Sequence, residues 1–207
     1  MSYRIVEDYY RREHFNFFRS YEMPFYTITF NLEITTLKAF SADRGFPVYL
    51  TQCFLFARGM NRVEDFRYRV IDDEIVLFDR LEIAATLPAP NGAFSFARFE
   101  NEPDLESFLH RADAVSRRAR EAATLDEKTE NNTILFTSLP GVRFTGFTHA
   151  TPSDRTDGRA RVAFGQFFED TGRLMVPVGL GVNHIFIDGA AIGKLVEEVQ
   201  TDFNHPS

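Results

Sequence analysis

His184 and Asp188 stand four residues apart in the segment GLGVNHIFIDGAAIGKLVEEVQ, residues 179–200. Histidine has an ordinary pKa of about 6.5, so it can take and return a proton near neutral pH. Here it follows the apolar run RLMVPVGLGV, which reads as a strand, and precedes a segment of helical periodicity. A histidine at the C-terminal end of a strand in an α/β protein is placed to act as a general base. Asp188 falls where the helix begins. There is a plainer reading of both residues. An aspartate at that point is an ordinary helix N-cap, worth about 1 kcal/mol, and a histidine on an apolar strand is a satisfied core residue. Taken alone, the three fixed letters of His-x-x-x-Asp-Gly favour the plainer reading.

The remaining candidates are weaker. His14 shares a helical segment with Arg11 and Arg12 and reads as structural. His110 lies in a charged helix and reads as solvated, His149 precedes a Pro-Ser-Asp turn with no obvious partner, and His205 is near the C-terminus. No His-Glu-x-x-His spacing occurs, and Cys53 is the one cysteine, so no metal is expected. Cys53 sits in an apolar segment and reads as core. NGAFSFA is not a phosphate loop. Arg117, Arg118 and Arg120 read as a solvated helix face that can also attract phosphates.

The elements that must position these residues follow from periodicity and punctuation. Tyr9 to Ser20 reads as a helix closed by Pro24, and Phe25 to Ile34 as a strand. A short helix around TLKAF is expected to be capped by Thr35 or Thr36. After Pro47, VYLTQCFLFARGMNRV is apolar nearly all round, as in a buried helix. FRYRV and IVLFD flank a polar turn and form a hairpin. AATLPAPNGAFSFARF reads as irregular first and as a strand after Gly92. PDLESFLHRADAVSRRAREA puts Leu105, Phe108, Leu109, Ala112 and Val115 on one helical face, and Thr124 to Asn132 is a polar loop. TILFTSL, RVAFGQFF and RLMVPVGLGV read as three strands. Ala190 to Phe203 reads as a helix with Ile192, Leu195, Val196, Val199 and Phe203 on its apolar face. The expected fold is therefore α/β, a two-layer sandwich of a mixed sheet covered by helices. With no repeat or linker, residues 1–207 are read as one domain.

Composition narrows the partners. The 207 residues carry 23 Lys and Arg against 30 Asp and Glu, a net charge of −7, which argues against nucleic acid or an anionic membrane as the main partner. No apolar run approaches a membrane span, and the charged start MSYRIVEDYYRREHF has no leader-like core. A single cysteine suits a reducing compartment, so a cytoplasmic protein is expected. Twenty-three phenylalanines suggest a Phe-packed core and an aromatic ligand pocket.

YYRREHFNFF, LEITTLK, FRYRVIDDEIVLFD, LFTSLPGVRF and VNHIFIDG occur in this order. Together they resemble the chloramphenicol acetyltransferase family, over about Tyr10 to Phe203. The resemblance implies a homotrimer with active sites at subunit interfaces and acetyl-CoA as co-substrate. It makes His184 the base that takes a proton from an acceptor hydroxyl. It makes Asp188 a structural partner of Arg11, and Thr137 the hydroxyl that meets the oxyanion, with neighbouring Ser138 in its place if the register slips by one. Phe17, Phe18, Ala85 and Phe94 then line the acceptor pocket, and Gln166 and Phe167 the CoA site.

This chain departs from the pattern at several of these positions. Asn183 replaces the first of two adjacent histidines, Thr137 a serine, and Phe18 a tyrosine. Ala85 and Ala163 replace threonines, Gln166 and Phe167 a lysine and a tyrosine, and Gly141 a tryptophan. The machinery of acyl transfer is kept better than the antibiotic pocket. The resulting expectation is an acetyl-CoA-dependent O-acetyltransferase acting on chloramphenicol. Its rivals are an acyltransferase for another hydroxyl acceptor, a catalytically inactive trimeric binding protein, and, less favoured, a dihydrolipoyl acyltransferase core.

Overall fold

The computed structural model describes residues 2–100, 102–122 and 130–207. In chain order the elements are β1 (Tyr3–Ile5), α1 (Arg12–Arg19), β2 (Phe25–Glu33), α2 (Thr35–Arg44), α3 (Val48–Arg62), β3 (Tyr68–Ile71), β4 (Glu74–Phe78), β5 (Glu82–Pro88), β6 (Phe94–Phe99), α4 (Leu105–Ala122), β7 (Thr133–Ser138), β8 (Arg161–Phe164), β9 (Phe168–Asp170), β10 (Arg173–Asn183) and α5 (Gly189–Asn204). The main sheet is mixed, in the order β2-β10-β8-β7-β5-β6, with β9 pairing the start of β10. Only β5–β7 and β7–β8 are parallel. A second, three-stranded sheet holds β1, β4 and β3.

Helices cover the face of the main sheet that presents Phe136 and Phe164. Phe56 of α3 meets both rings, at centroid distances of 6.0 and 5.8 Å. The irregular segment 139–160 runs over the other face, where Phe147 and His149 rest against Gly179 and Gly181 of β10. The expected two-layer mixed α/β fold is the one observed.

Several elements follow from local chemistry. Helix α3 is apolar nearly all round and is buried from Leu50 to Ala57. The β3–β4 hairpin turns through Asp72 and Asp73, both at positive φ, a conformation that suits the right-handed twist of a hairpin. Helix α4 buries Leu105, Phe108, Leu109 and Ala112, with Val115 partly buried beside them. Helix α5 buries Ile192, Leu195, Val199 and Phe203.

Other elements differ from the expectation. Helix α2 has Ile34, not a threonine, at its N-cap, and it runs to Arg44 before Gly45 at φ 68° ends it. The stretch 82–88 is a strand despite its proline, because Pro88 sits at its last position and costs no interior ladder bond. RVAFGQFF is two strands. Gly165 is where they part: a Cβ there would lie 2.6 Å from Pro177 and 2.8 Å from the Val142 carbonyl. The Gln166 N–H turns away to the Val142 carbonyl at 2.8 Å. Strand β1 has no signal in the sequence beyond three residues. Of the expected loop 124–132, residues up to 129 lie outside the described residues.

The contact that seats α5 is tight. A Cβ on Gly59 of α3 would stand 2.8 Å from Val199 Cγ2 and 3.2 Å from its backbone nitrogen. Alanine in a helix gains about 1 kcal/mol over glycine, but overpacking against a stiff β-branched side chain costs about 1–3 kcal/mol. Gly59→Ala is therefore expected to lower stability by about 1 kcal/mol in urea unfolding. A gain in stability would mean that α3 and α5 separate freely.

Candidate active site

His184 follows the last residue of β10 in a tight turn. Asn183 accepts from the N–H of Phe186 at 3.4 Å and from that of Ile187 at 3.1 Å. The His184 ring, partly buried, gives its Nδ1–H to the Ile187 carbonyl at 2.8 Å. That bond fixes the tautomer and leaves Nε2 with a free lone pair, the arrangement a general base needs. Phe18 of α1 stacks on the ring at 3.9 Å and 23°, and Tyr26 lies against it at 4.8 Å.

Asp188 does two jobs with two oxygens. Oδ1 accepts from Ala191 N–H at 3.0 Å and caps α5. Oδ2 pairs with Arg11 Nη2 at 2.9 Å. Burial alone would raise the Asp188 carboxyl, but the Ala191 N–H and the Arg11 guanidinium outweigh it and hold it below the ordinary carboxylate range. Arg11 also donates to the Phe186 carbonyl at 3.2 Å and pairs with Asp65 at 3.5 Å. His14 completes the link. Its Nε2–H goes to the His184 carbonyl at 2.6 Å, and its Nδ1 lies 3.2 Å from Arg11 Nη2. Burial lowers the His14 pKa against the pull of that carbonyl, so the neutral ring is favoured.

A double-mutant cycle separates cap from ion pair. Asn keeps the cap, because it is as good a cap as Asp. Asp188→Asn therefore removes only the charge. Both Asp188→Asn and Arg11→Ala are expected to reduce turnover by about tenfold or more by displacing His184. The double variant should be no worse than the poorer single one. A silent Asp188→Asn with additive losses would reduce Asp188 to a cap.

Asn183 shows how the turn is held without a second histidine. Its Nδ2 donates to the Arg155 carbonyl at 2.9 Å and the Asp157 carbonyl at 3.2 Å, and its Oδ1 accepts from Ile185 N–H at 3.1 Å. The buried Asp157 carboxylate pairs with Arg159 at 2.9 Å and Arg161 at 2.6 Å. The irregular cover is thus tied to the His184 turn. Sequence reading flagged position 183 as a substitution but had no means of seeing these partners.

Thr137 is elsewhere. It is level with Ala163 on β8, which is level with Gly179 on β10. Strand β7 runs antiparallel to β10, so their C-terminal ends lie at opposite edges of the sheet. From Gly179 to His184 is about 17 Å along the strand, at ~3.4 Å per residue. By this topology His184 and Thr137 do not converge within one chain.

The other expected residues divide by face. Phe18 touches His184, and Phe17 beside it is 58% exposed. Ala85 is level with Phe136 and fully buried on the helix-covered side. The opposite side of β5 presents Thr86, level with Phe96 of β6. Phe94, level with Pro88 and 47% exposed, shares that side. Thr86 was missed by sequence reading, although counting in twos across the β5–β6 hairpin links it to Phe94. Ser138 is exposed and Ala163 buried. Gln166 is exposed, and Lys38 Nζ lies 5.8 Å over the Phe167 ring. His149, expected to lack a partner, stands 3.2 Å from the Gly179 carbonyl and gives it the Nε2–H. Cys53 is buried, and burial pushes its thiol up. Among the described residues no group of three His, Cys, Asp or Glu is arranged to hold a metal, and no helix is long and apolar enough to cross a membrane.

The mixed sheet delivers a tautomer-fixed histidine and a capping, ion-paired aspartate, and the proteins this chain is similar to are acetyltransferases. A solved chloramphenicol acetyltransferase superposes with a TM-score of 0.86 at 25% identity, covering 98% of this chain and 99% of that one. Dihydrolipoamide acetyltransferase of Azotobacter vinelandii shares the fold, with a TM-score of 0.69 at 18% identity over 94% of this chain and 86% of its own. The sequence matches the chloramphenicol acetyltransferase family over residues 1–200. The Bacillus pumilus chloramphenicol acetyltransferase is 26% identical over 205 residues, 98% of this chain and 93% of its own. Chloramphenicol acetyltransferase 3 of Escherichia coli is 25% identical over 199 residues, 94% of this chain and 93% of its own. The chain belongs to the chloramphenicol acetyltransferase family.

Proposed function

We propose that the protein is a homotrimeric, cytoplasmic O-acetyltransferase that moves the acetyl group of acetyl-CoA to a hydroxyl of chloramphenicol. The observation that carries this reading is the His184 ring, its Nδ1–H committed to the Ile187 carbonyl and its Nε2 left to accept, in a member of this family. Nε2 takes the acceptor's hydroxyl proton as that oxygen attacks the thioester carbonyl. The carbonyl oxygen becomes an oxyanion and accepts a hydrogen bond from the Thr137 hydroxyl. Collapse breaks the C–S bond, and the thiolate takes the proton back from Nε2. One well-aimed oxyanion donor is worth about 2.7–4 kcal/mol.

The separation of Thr137 from His184 supports the trimer, because a second copy can bring its own Thr137 to His184. Edge strand β2 and the exposed Phe17, Tyr21 and Met23 near the His184 turn offer apolar surface for that copy. Residues 1–207 then act as one acyltransferase domain, with Phe17, Phe18 and Phe94 on the acceptor and Gln166 and Phe167 on CoA. A reducing cytoplasm suits the unpaired Cys53. Another hydroxylated acceptor is the second reading. It is favoured by Phe18, whose ring covers His184 without offering a polar atom.

Thiol release from acetyl-CoA, followed with and without chloramphenicol, tests the proposal. Release only in the presence of the antibiotic is expected. Release with other hydroxyl compounds and none with chloramphenicol would transfer the assignment to the second reading.

A further inference from the structure

The hydroxyls of Thr86 and Thr137 lie 2.9 Å apart, oxygen to oxygen. Pairing between β5 and β7 ends at Ala85 with Phe136, so these two side chains are neighbours just past the last rung. A threonine hydroxyl has one hydrogen and two lone pairs. If Thr137 gives its hydrogen to Thr86, none is left for an oxyanion. If Thr86 gives, Thr137 accepts on a lone pair and its own hydrogen is free to point outward. Accepting that bond also polarises Thr137 and strengthens what it donates. On its other flank Thr137 is level with Ala163, which has only a methyl, and Gly179 lies beyond. Hydroxyl support for Thr137 therefore comes from the β5 side.

We propose that Thr86 is the positioning residue that aims the Thr137 hydroxyl at the reacting carbonyl. The inference rests on Thr137 being the oxyanion donor. Thr86 touches neither reacting atom; it sets the rotor of the group that does. Thr86→Val keeps the β-branched shape that suits a strand and removes only the hydroxyl.

The test is steady-state kinetics of the trimer with acetyl-CoA and chloramphenicol on four variants, with thermal unfolding to certify folding. Thr86→Val is expected to lower kcat about tenfold, as misaiming a catalytic group does, and to leave KM for acetyl-CoA within about twofold, because an effect confined to the transition state falls on kcat. Thr86→Ser should recover most of the loss. Thr86→Val should add nothing further to Thr137→Ala, since no hydroxyl remains to be aimed. If valine packs badly, Thr86→Ala paired with the serine rescue gives the same comparison. A Thr86→Val enzyme with full kcat overturns the inference. So does a loss that adds to that of Thr137→Ala, or a rise in acceptor KM alone. Full activity in Thr137→Ala would instead sink the oxyanion assignment on which the inference stands.

Discussion

Replacing His184 by alanine is expected to lower turnover about 10³-fold, the usual weight of a general base. The turn keeps its Asn183 side-chain bonds and the Arg11–Asp188 pair when the imidazole, with its bond to the Ile187 carbonyl, is removed. The ring does pack: Phe18 stacks on it at 3.9 Å. Its removal should therefore cost about 1 kcal/mol of stability, in the range of aromatic pairs. Turnover by stopped-flow or thiol titration, set beside thermal unfolding, distinguishes a lost base from a lost fold. Near-wild-type turnover would leave His184 as a core residue that happens to end a strand.

Thr137→Ala is expected to lower kcat by about 10²–10³-fold. The larger expectation concerns a mixture. A His184→Ala chain retains Thr137, and a Thr137→Ala chain retains His184. In a cyclic trimer each site pairs the histidine of one copy with the threonine of the next. On random assembly at equal amounts, three in four trimers are mixed, and each holds one intact site of three, so co-expression should restore about a quarter of wild-type activity. If each site were built within one chain, the mixture would be as inactive as its parents. Size-exclusion chromatography with light scattering supplies the control, because an active monomer near 23.8 kDa removes the shared site altogether.

Local features of this fold were legible wherever local chemistry decides them. The apolar run after Pro47, the Asp-Asp turn of the β3–β4 hairpin and the one-sided faces of α4 and α5 each follow from periodicity and punctuation. The His184 turn was legible as a strand end followed by a cap, and the pairing of Asp188 with Arg11 came from resemblance alone. What escaped depends on partners far along the chain. No residue of TILFTSL records that β7 runs against β10, yet that direction separates Thr137 from His184. Whether residue 85 or 86 faces the open side is a matter of parity, settled only when Pro88 is seen level with Phe94. The break at Gly165 arises because Pro177 and the Val142 carbonyl crowd it, and neither is a sequence neighbour.

The position of β10 has a bearing on synthesis. Strand β2 pairs with β10 from Glu33 opposite Met175 to Phe25 opposite Asn183, and β8 takes the other edge of β10. Strand β2 therefore leaves the ribosome long before anything in the main sheet can pair with it. Contacts so distant in sequence form slowly, and an apolar strand waiting with open edges is the kind of segment that aggregates or recruits a chaperone. The growing chain holds the first strand of its main sheet unpartnered until residues 175–183 are made. A chain that ends before residue 175 has no strand to join β2 to β8.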